Sequence, residues 1–133
     1  MSIDVPKFFK FKELIVTNTG LFNVPDNWET IMNLFSVGKY LDCLRTLYGH
    51  PITVDSGYRS PAVNRAVKGS DTSAHLLGLA ADIRPAEGQL SSLLHVTDEA
   101  FKSKKLPIDQ LIIHPDFLHL GFSERPRFQR WSV

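Results

Sequence analysis

A chain of 133 residues with 43% hydrophobic and 22% charged positions has the composition of an average globular protein and length for one core, so a single domain over residues 1–133 is expected. Fifteen lysines and arginines against fourteen aspartates and glutamates leave a formal charge of +1. That near-neutral surface lacks the positive field that non-specific nucleic-acid binding exploits. The single cysteine, Cys43, excludes an intrachain disulfide and a cysteine-based zinc cluster, so any metal site must be built from histidines and carboxylates.

The opening segment MSIDVPKFFKFKELIV alternates lysine with phenylalanine and contains no signal-peptide core, and no apolar run reaches the roughly eighteen residues of a membrane span. The expectation is a protein made in the cytoplasm, which would reach an outside target only after lysis or by another export route. Asp26 with Glu29 has the pattern of a capping box. Trp28, Ile31, Met32, Phe35, Leu41, Leu44, Leu47 and Tyr48 then recur near helical spacing up to Gly49. This predicts one long helix or a helix pair over about 27–48, with a break near Ser36–Gly38 because an internal glycine costs about 1 kcal/mol relative to alanine. Pro51–Val54 reads as a short strand entering the turn Asp55-Ser56-Gly57. Ser60 before Pro61, with Gly69 after Lys68, marks a two-turn helix over 61–68.

Leu79–Ile83 is a strand closed by Pro85, and Gln89–Lys102 is an amphipathic helix through Leu90, Leu93, Leu94 and Phe101. Asp109–Ile113 and Phe117–Phe122 form a hairpin around His114-Pro115-Asp116, where proline suits the second turn position. Alternation places Leu118, Leu120 and Phe122 on one face of the second strand and Phe117, His119 and Gly121 on the other. The tail interleaves Arg125, Arg127 and Arg130 with Phe128 and Trp131, the composition of a contact with a glycan, a nucleic acid or an anionic wall polymer, or of an edge strand or tail packed on the domain. Helices and strands without βαβ regularity predict an α+β fold with a small, mostly antiparallel sheet.

The segment Ser73-Ala-His75-Leu-Leu-Gly78-Leu-Ala-Ala-Asp82 is the most informative. On a straight helix His75 and Asp82 would lie roughly 10 Å apart, too far for one ion. A turn at Gly78 brings them together, and His119 from the hairpin completes two imidazoles and a carboxylate, the ligand set of a catalytic zinc with an open fourth position. Taken singly, His75 and His119 are also compatible with core histidines, and Asp82 with a strand-end residue near Pro85.

The runs SGYRSPAVN at 56–64, SAHLLGLAADI at 73–83 and DFLHLGF at 116–122 resemble, in order, the three signature blocks of the zinc D-Ala-D-Ala carboxypeptidase family. That family includes phage L-alanyl-D-glutamate endolysins and shares its fold with the Hedgehog signalling domain. The resemblance implies Zn²⁺ held by His75, Asp82 and His119, Asp116 as the general base, Arg59 as the group that stabilises the oxyanion or holds a substrate carboxylate, and Ser73 near that carboxylate. Where many small members place a glutamate after the Asp-Gln-Leu-Ile strand, this chain has His114. The base is therefore Asp116, His114 or an unmatched carboxylate, and Asp116 also suits a plain turn residue. His50 and His95 are expected to face solvent.

The implied protein is a monomeric zinc peptidase that cuts an amide of a peptidoglycan stem peptide, of D-Ala-D-Ala carboxypeptidase or L-Ala-D-Glu endopeptidase type, with phage-type cell-wall lysis as its setting. It needs no nucleic-acid partner and no membrane insertion. The alternative is a non-catalytic binding or structural module on the same fold.

Overall fold

The computed structural model describes residues 5–133; Met1–Asp4, the start of the lysine and phenylalanine segment, lie outside the described residues. A short helix α1 (Phe11–Leu14) leads to the long helix α2 (Trp28–Tyr48), strand β1 (Ile52–Ser56) and helix α3 (Pro61–Ala66). A 3₁₀ turn at Ala74–Leu77 precedes β2 (Ala80–Pro85), α4 (Leu90–Lys102), β3 (Ile108–Ile113), β4 (Leu118–Phe122) and β5 (Gln129–Ser132). The strands form one sheet in the order β1-β2-β4-β3-β5. All its pairings are antiparallel except β3 with β5, so the fold is α+β with a mostly antiparallel sheet, as the sequence predicts.

The sheet has two chemically different faces, fixed by the two-residue period of its strands. Leu111, Leu120 and Ala81 are cross-strand neighbours, and all three are fully buried. With Leu118 and Ile83 they form the core surface, completed by Leu34, Val37, Leu41 and Leu44 of α2 and Leu93 of α4. One residue along, the opposite face carries the row Ile112, His119, Asp82 and Ser56 from four adjacent strands. A bulge between Val54 and Ser56 sets Ser56, rather than Asp55, opposite Asp82. The half-period that buries leucines therefore gathers polar groups on the other side.

The expected break near Ser36–Gly38 is absent, and α2 is one uninterrupted helix of 21 residues. Gly38 is buried, and a Cβ there would collide with the ring of Pro6 and come within 3.2 Å of Leu14 Cδ1. This glycine is a groove for the N-terminal segment. That segment is tied to the same helix by Asp42, whose carboxylate accepts from the backbone N–H groups of Lys7 and Phe8 at 2.6 and 2.8 Å. The helix cap is Asn27, whose side-chain oxygen accepts from the Thr30 N–H at 2.9 Å, in place of the expected Asp26–Glu29 box. The arginine-rich tail becomes β5 at the sheet edge, with Arg127 paired to Asp109 and Arg130 to Asp98 at 2.7 and 2.8 Å. His50 and His95 are exposed, as expected.

Gly38→Ala should lower stability despite alanine's higher helix propensity, by about 1–3 kcal/mol, because overpacking outweighs a propensity gain near 1 kcal/mol. Chemical denaturation checks this through a lower midpoint with unchanged slope.

Candidate metal centre

Three elements deliver the three donors. Ser73 caps the 3₁₀ turn, its Oγ accepting from the His75 N–H at 3.2 Å. Gly78 ends the turn in the left-handed conformation, at φ 72°, with its backbone against Thr30 and Leu34. The reversal that the sequence places at Gly78 is thus present, and it lays His75 over strand β2. There Asp82 is the direct cross-strand neighbour of His119 on β4, a placement that puts both side chains on one face within a few ångströms. His119 Nδ1 lies 2.9 Å from Asp82 Oδ1, and His75 Nε2 lies 3.3 Å from the same oxygen. One donor atom from each residue falls within 4.8 Å of the other two.

The protonation of His75 follows from its partner. Its Nδ1 sits 2.6 Å from the carbonyl oxygen of Gly57. A carbonyl only accepts, so Nδ1 carries the proton, and in the neutral ring Nε2 presents a bare lone pair. That Nε2 is buried without a hydrogen-bond partner. A buried, orphaned imidazole nitrogen is rare because leaving it unpaired costs about 1–3 kcal/mol. Here it faces a carboxylate oxygen and a second imidazole, whose ring centroid is 5.1 Å from that of His75. A divalent cation satisfies all three, and a backbone carbonyl holding the distal nitrogen is the usual outer support of a histidine ligand. The residues present fit zinc: two imidazoles, one carboxylate and no thiolate.

Burial alone would raise the Asp82 carboxyl pKa, but the hydrogen bond from His119 and the closeness of the two imidazoles outweigh it and hold the group well below the usual carboxylate range. Asp82 is thus an anion, the form that binds metal. Its second oxygen lies 3.4 Å from Nη2 of Arg59. Arg59 is half-buried, and desolvation lowers its pKa while the charge of Asp82 acts in the opposite sense.

These groups sit in an open cleft of about 510 Å³. Arg59, Ser70, Thr72 and Ser73 form one wall, His75, Asp82 and His119 the floor, and Asp109, Gln110, Ile112, His114, Phe117 and Arg127 the other wall. The structure therefore brings together His75, Asp82, His119, Arg59 and Ser73 from the sequence reading. Asp116 is exposed on the β3–β4 turn and is not among the cleft-lining residues, whereas His114, two residues earlier, does line it. The His114 ring stacks on that of Phe117 with centroids 4.2 Å apart, and the His114 backbone N–H donates to the Phe117 carbonyl at 3.0 Å, closing the turn. Sequence reasoning did not assign the Gly57 carbonyl, Ser56, Asn64 or the Asp109–Arg127 pair to the site. Asn64 stands inside the SGYRSPAVN run, the one signal that could have drawn attention to it.

An imidazole, imidazole and carboxylate set in an open cleft, with a guanidinium beside it, is a donor set that metal-dependent hydrolases use. A family model described as peptidase M15 matches residues 7–121, and the chain belongs to that family of zinc-dependent metallopeptidases. A search of curated proteins returns no match.

The purified protein should bind one zinc ion per chain, and His75→Ala or His119→Ala should abolish stoichiometric binding, as read by elemental analysis. Zinc at a hundredfold excess over its dissociation constant should stabilise the parent by about 2.7 kcal/mol, a melting shift that both variants lose.

Proposed function

We propose that this protein is a zinc peptidase that hydrolyses an amide bond of peptidoglycan stem peptides, as a D-Ala-D-Ala carboxypeptidase or an L-Ala-D-Glu endopeptidase, in phage-type degradation of the cell wall. The observation that carries this reading is the His75, Asp82 and His119 triad, with its orphaned imidazole nitrogen, beside a half-buried Arg59 in an open cleft. Membership of the peptidase M15 family and the three sequence blocks support the substrate class.

When bound, zinc supplies Lewis acidity to the scissile carbonyl and lowers the pKa of water. The chain's own groups do the rest. His75, Asp82 and His119 hold the ion, with the Gly57 carbonyl fixing the orientation of His75. The resemblance assigns to Asp116 the transfer of a proton from the attacking water to the leaving amine, although its side chain lies on the exposed turn outside the cleft lining. His114 is the second candidate for this proton transfer, favoured by its place on the cleft wall. Arg59 donates N–H groups to the charge that develops on the carbonyl oxygen or to a substrate carboxylate, and Ser73 borders the same wall. Access to the wall once the membrane is breached completes the proposal, with the protein acting as a monomer. No helix among the described residues is long and apolar enough to cross a membrane.

Digestion of purified sacculi, with products read by mass, tests the reading. The parent should release stem-peptide fragments, and the masses identify the bond; a zinc-loaded parent that releases none identifies a non-catalytic module instead. Asp116→Ala should retain zinc and lose about 10²–10⁴-fold in turnover, whereas the same loss confined to His114→Ala transfers the role to that residue. Arg59→Lys should also be impaired with an unchanged melting temperature, because an ammonium cannot reproduce a bidentate fork.

A further inference from the structure

Arg59 reaches the metal cleft from the loop between β1 and α3, and a flexible guanidinium is of little use unless something aims it. Three oxygens surround it. Its Nε donates to Ser56 Oγ at 3.2 Å, Nη2 to Asp82 Oδ2 at 3.4 Å, and Nη1 to Asn64 Oδ1 at 3.4 Å. Asp82 is committed to the metal centre and Ser56 holds only the base of the fork. Asn64 is different: it is a polar residue on α3 only 3% exposed, and its side chain bonds Arg59 on one side and the Ser70 carbonyl on the other.

Its amide is fully oriented by its partners. Nδ2 donates to the Ser70 carbonyl at 2.9 Å, which leaves Oδ1 as the atom facing Arg59. The Asn64 backbone carbonyl accepts from the Gly69 N–H at 2.8 Å. Gly69 is where the loop must pass, since a Cβ there would overlap Asn64 Oδ1 and come within 3.1 Å of Arg59 Nη1. Asn64 thus ties the guanidinium to the start of the segment whose Ser70, Thr72 and Ser73 form the cleft wall.

We propose that Asn64 is the positioning residue for Arg59, and that its side chain is an amide rather than a carboxylate so that the guanidinium is held without its charge being neutralised and stays available to an anionic group of the substrate. An acceptor is needed at this place, and both asparagine and aspartate provide one. Only the neutral form fixes Nη1 while leaving Asp82 as the one carboxylate on the fork. A second carboxylate would compete directly with an incoming anion. This inference rests on the proposed role of Arg59 as the anion-binding group.

The test uses the full zinc-loaded chain and its Asn64→Ala and Asn64→Asp variants. In the parent, cooled just above freezing, nitrogen–proton NMR spectra should show separate, slowly exchanging Nη signals for Arg59, identified by their loss in Arg59→Lys. In Asn64→Ala these should merge while zinc stays at one per chain. On purified sacculi, Asn64→Ala should lose about tenfold or more in kcat/KM, the effect of removing a hydrogen bond to a charged group. Asn64→Asp should keep Nη1 fixed yet lose at least as much activity. Averaged Nη signals in the parent would overturn the proposal whether or not the variants fold. So would Nη signals unchanged in Asn64→Ala, or full activity in Asn64→Asp. If the parent cuts no stem peptide, the proposed function fails, and the NMR comparison still decides whether Asn64 positions Arg59.

Discussion

The pairing of β2 with β4, with Asp82 set opposite His119, is the constraint on which the site depends. Strand side chains alternate, so a slip of one residue would turn Asp82 into the core and lift Ala81 or Ile83 into the cleft. The leucines prevent it. Leu118 and Leu120 have no exposed surface, and Leu111 and Ile83 share their layer, so any register that displaced the metal donors would also bring several large apolar side chains to water. Hydrophobic burial, the larger energy, thus fixes a polar geometry that weak electrostatics alone would leave loose.

Around that pair the supports are mostly backbone. The Gly57 carbonyl sets the tautomer of His75, the Arg59 N–H donates to the His75 carbonyl at 3.0 Å, and the Tyr58 N–H donates to the Leu14 carbonyl at 2.8 Å. Residues 57–59 therefore bind α1 on one side and the 3₁₀ turn on the other. Asn23 reinforces the same segment, its amide donating to the carbonyls of Ile15 and Tyr58 and its oxygen accepting from the Ser60 N–H at 2.7 Å. Among the described residues, the N-terminal part of the chain contributes no donor to the metal centre, yet it braces the loop that orients one.

Much of this was legible in the sequence, for reasons that differ by residue. Alternation in LHLGF put His119 opposite the leucine face because a strand's period is rigid. Gly78 announced the reversal after His75 because a left-handed residue there suits glycine. Where the sequence misled, a distant part of the chain decided: Gly38 reads as a helix breaker until Pro6 is seen lying over it. The parallel partnership of β3 with β5 has no local signature, since it depends on how the chain returns after Phe122. The Gly57 carbonyl was invisible in principle, because every residue carries one and only the fold says which faces a histidine. The resemblance supplied Arg59 but not Asn64, whose part appears only when its neighbours are placed.

The order of the donors along the chain has a consequence for how the protein is made. His75 and Asp82 are near in sequence, but Asp82 and His119 are separated by 37 positions and meet only through strand pairing. Closing so long a loop is slow compared with forming a helix or a turn. A chain still emerging from the ribosome offers an ion at most the first two donors, a poor site. An ion held by all three donors therefore depends on β4 having paired with β2, so the pairing that buries the leucines is also what completes the donor set.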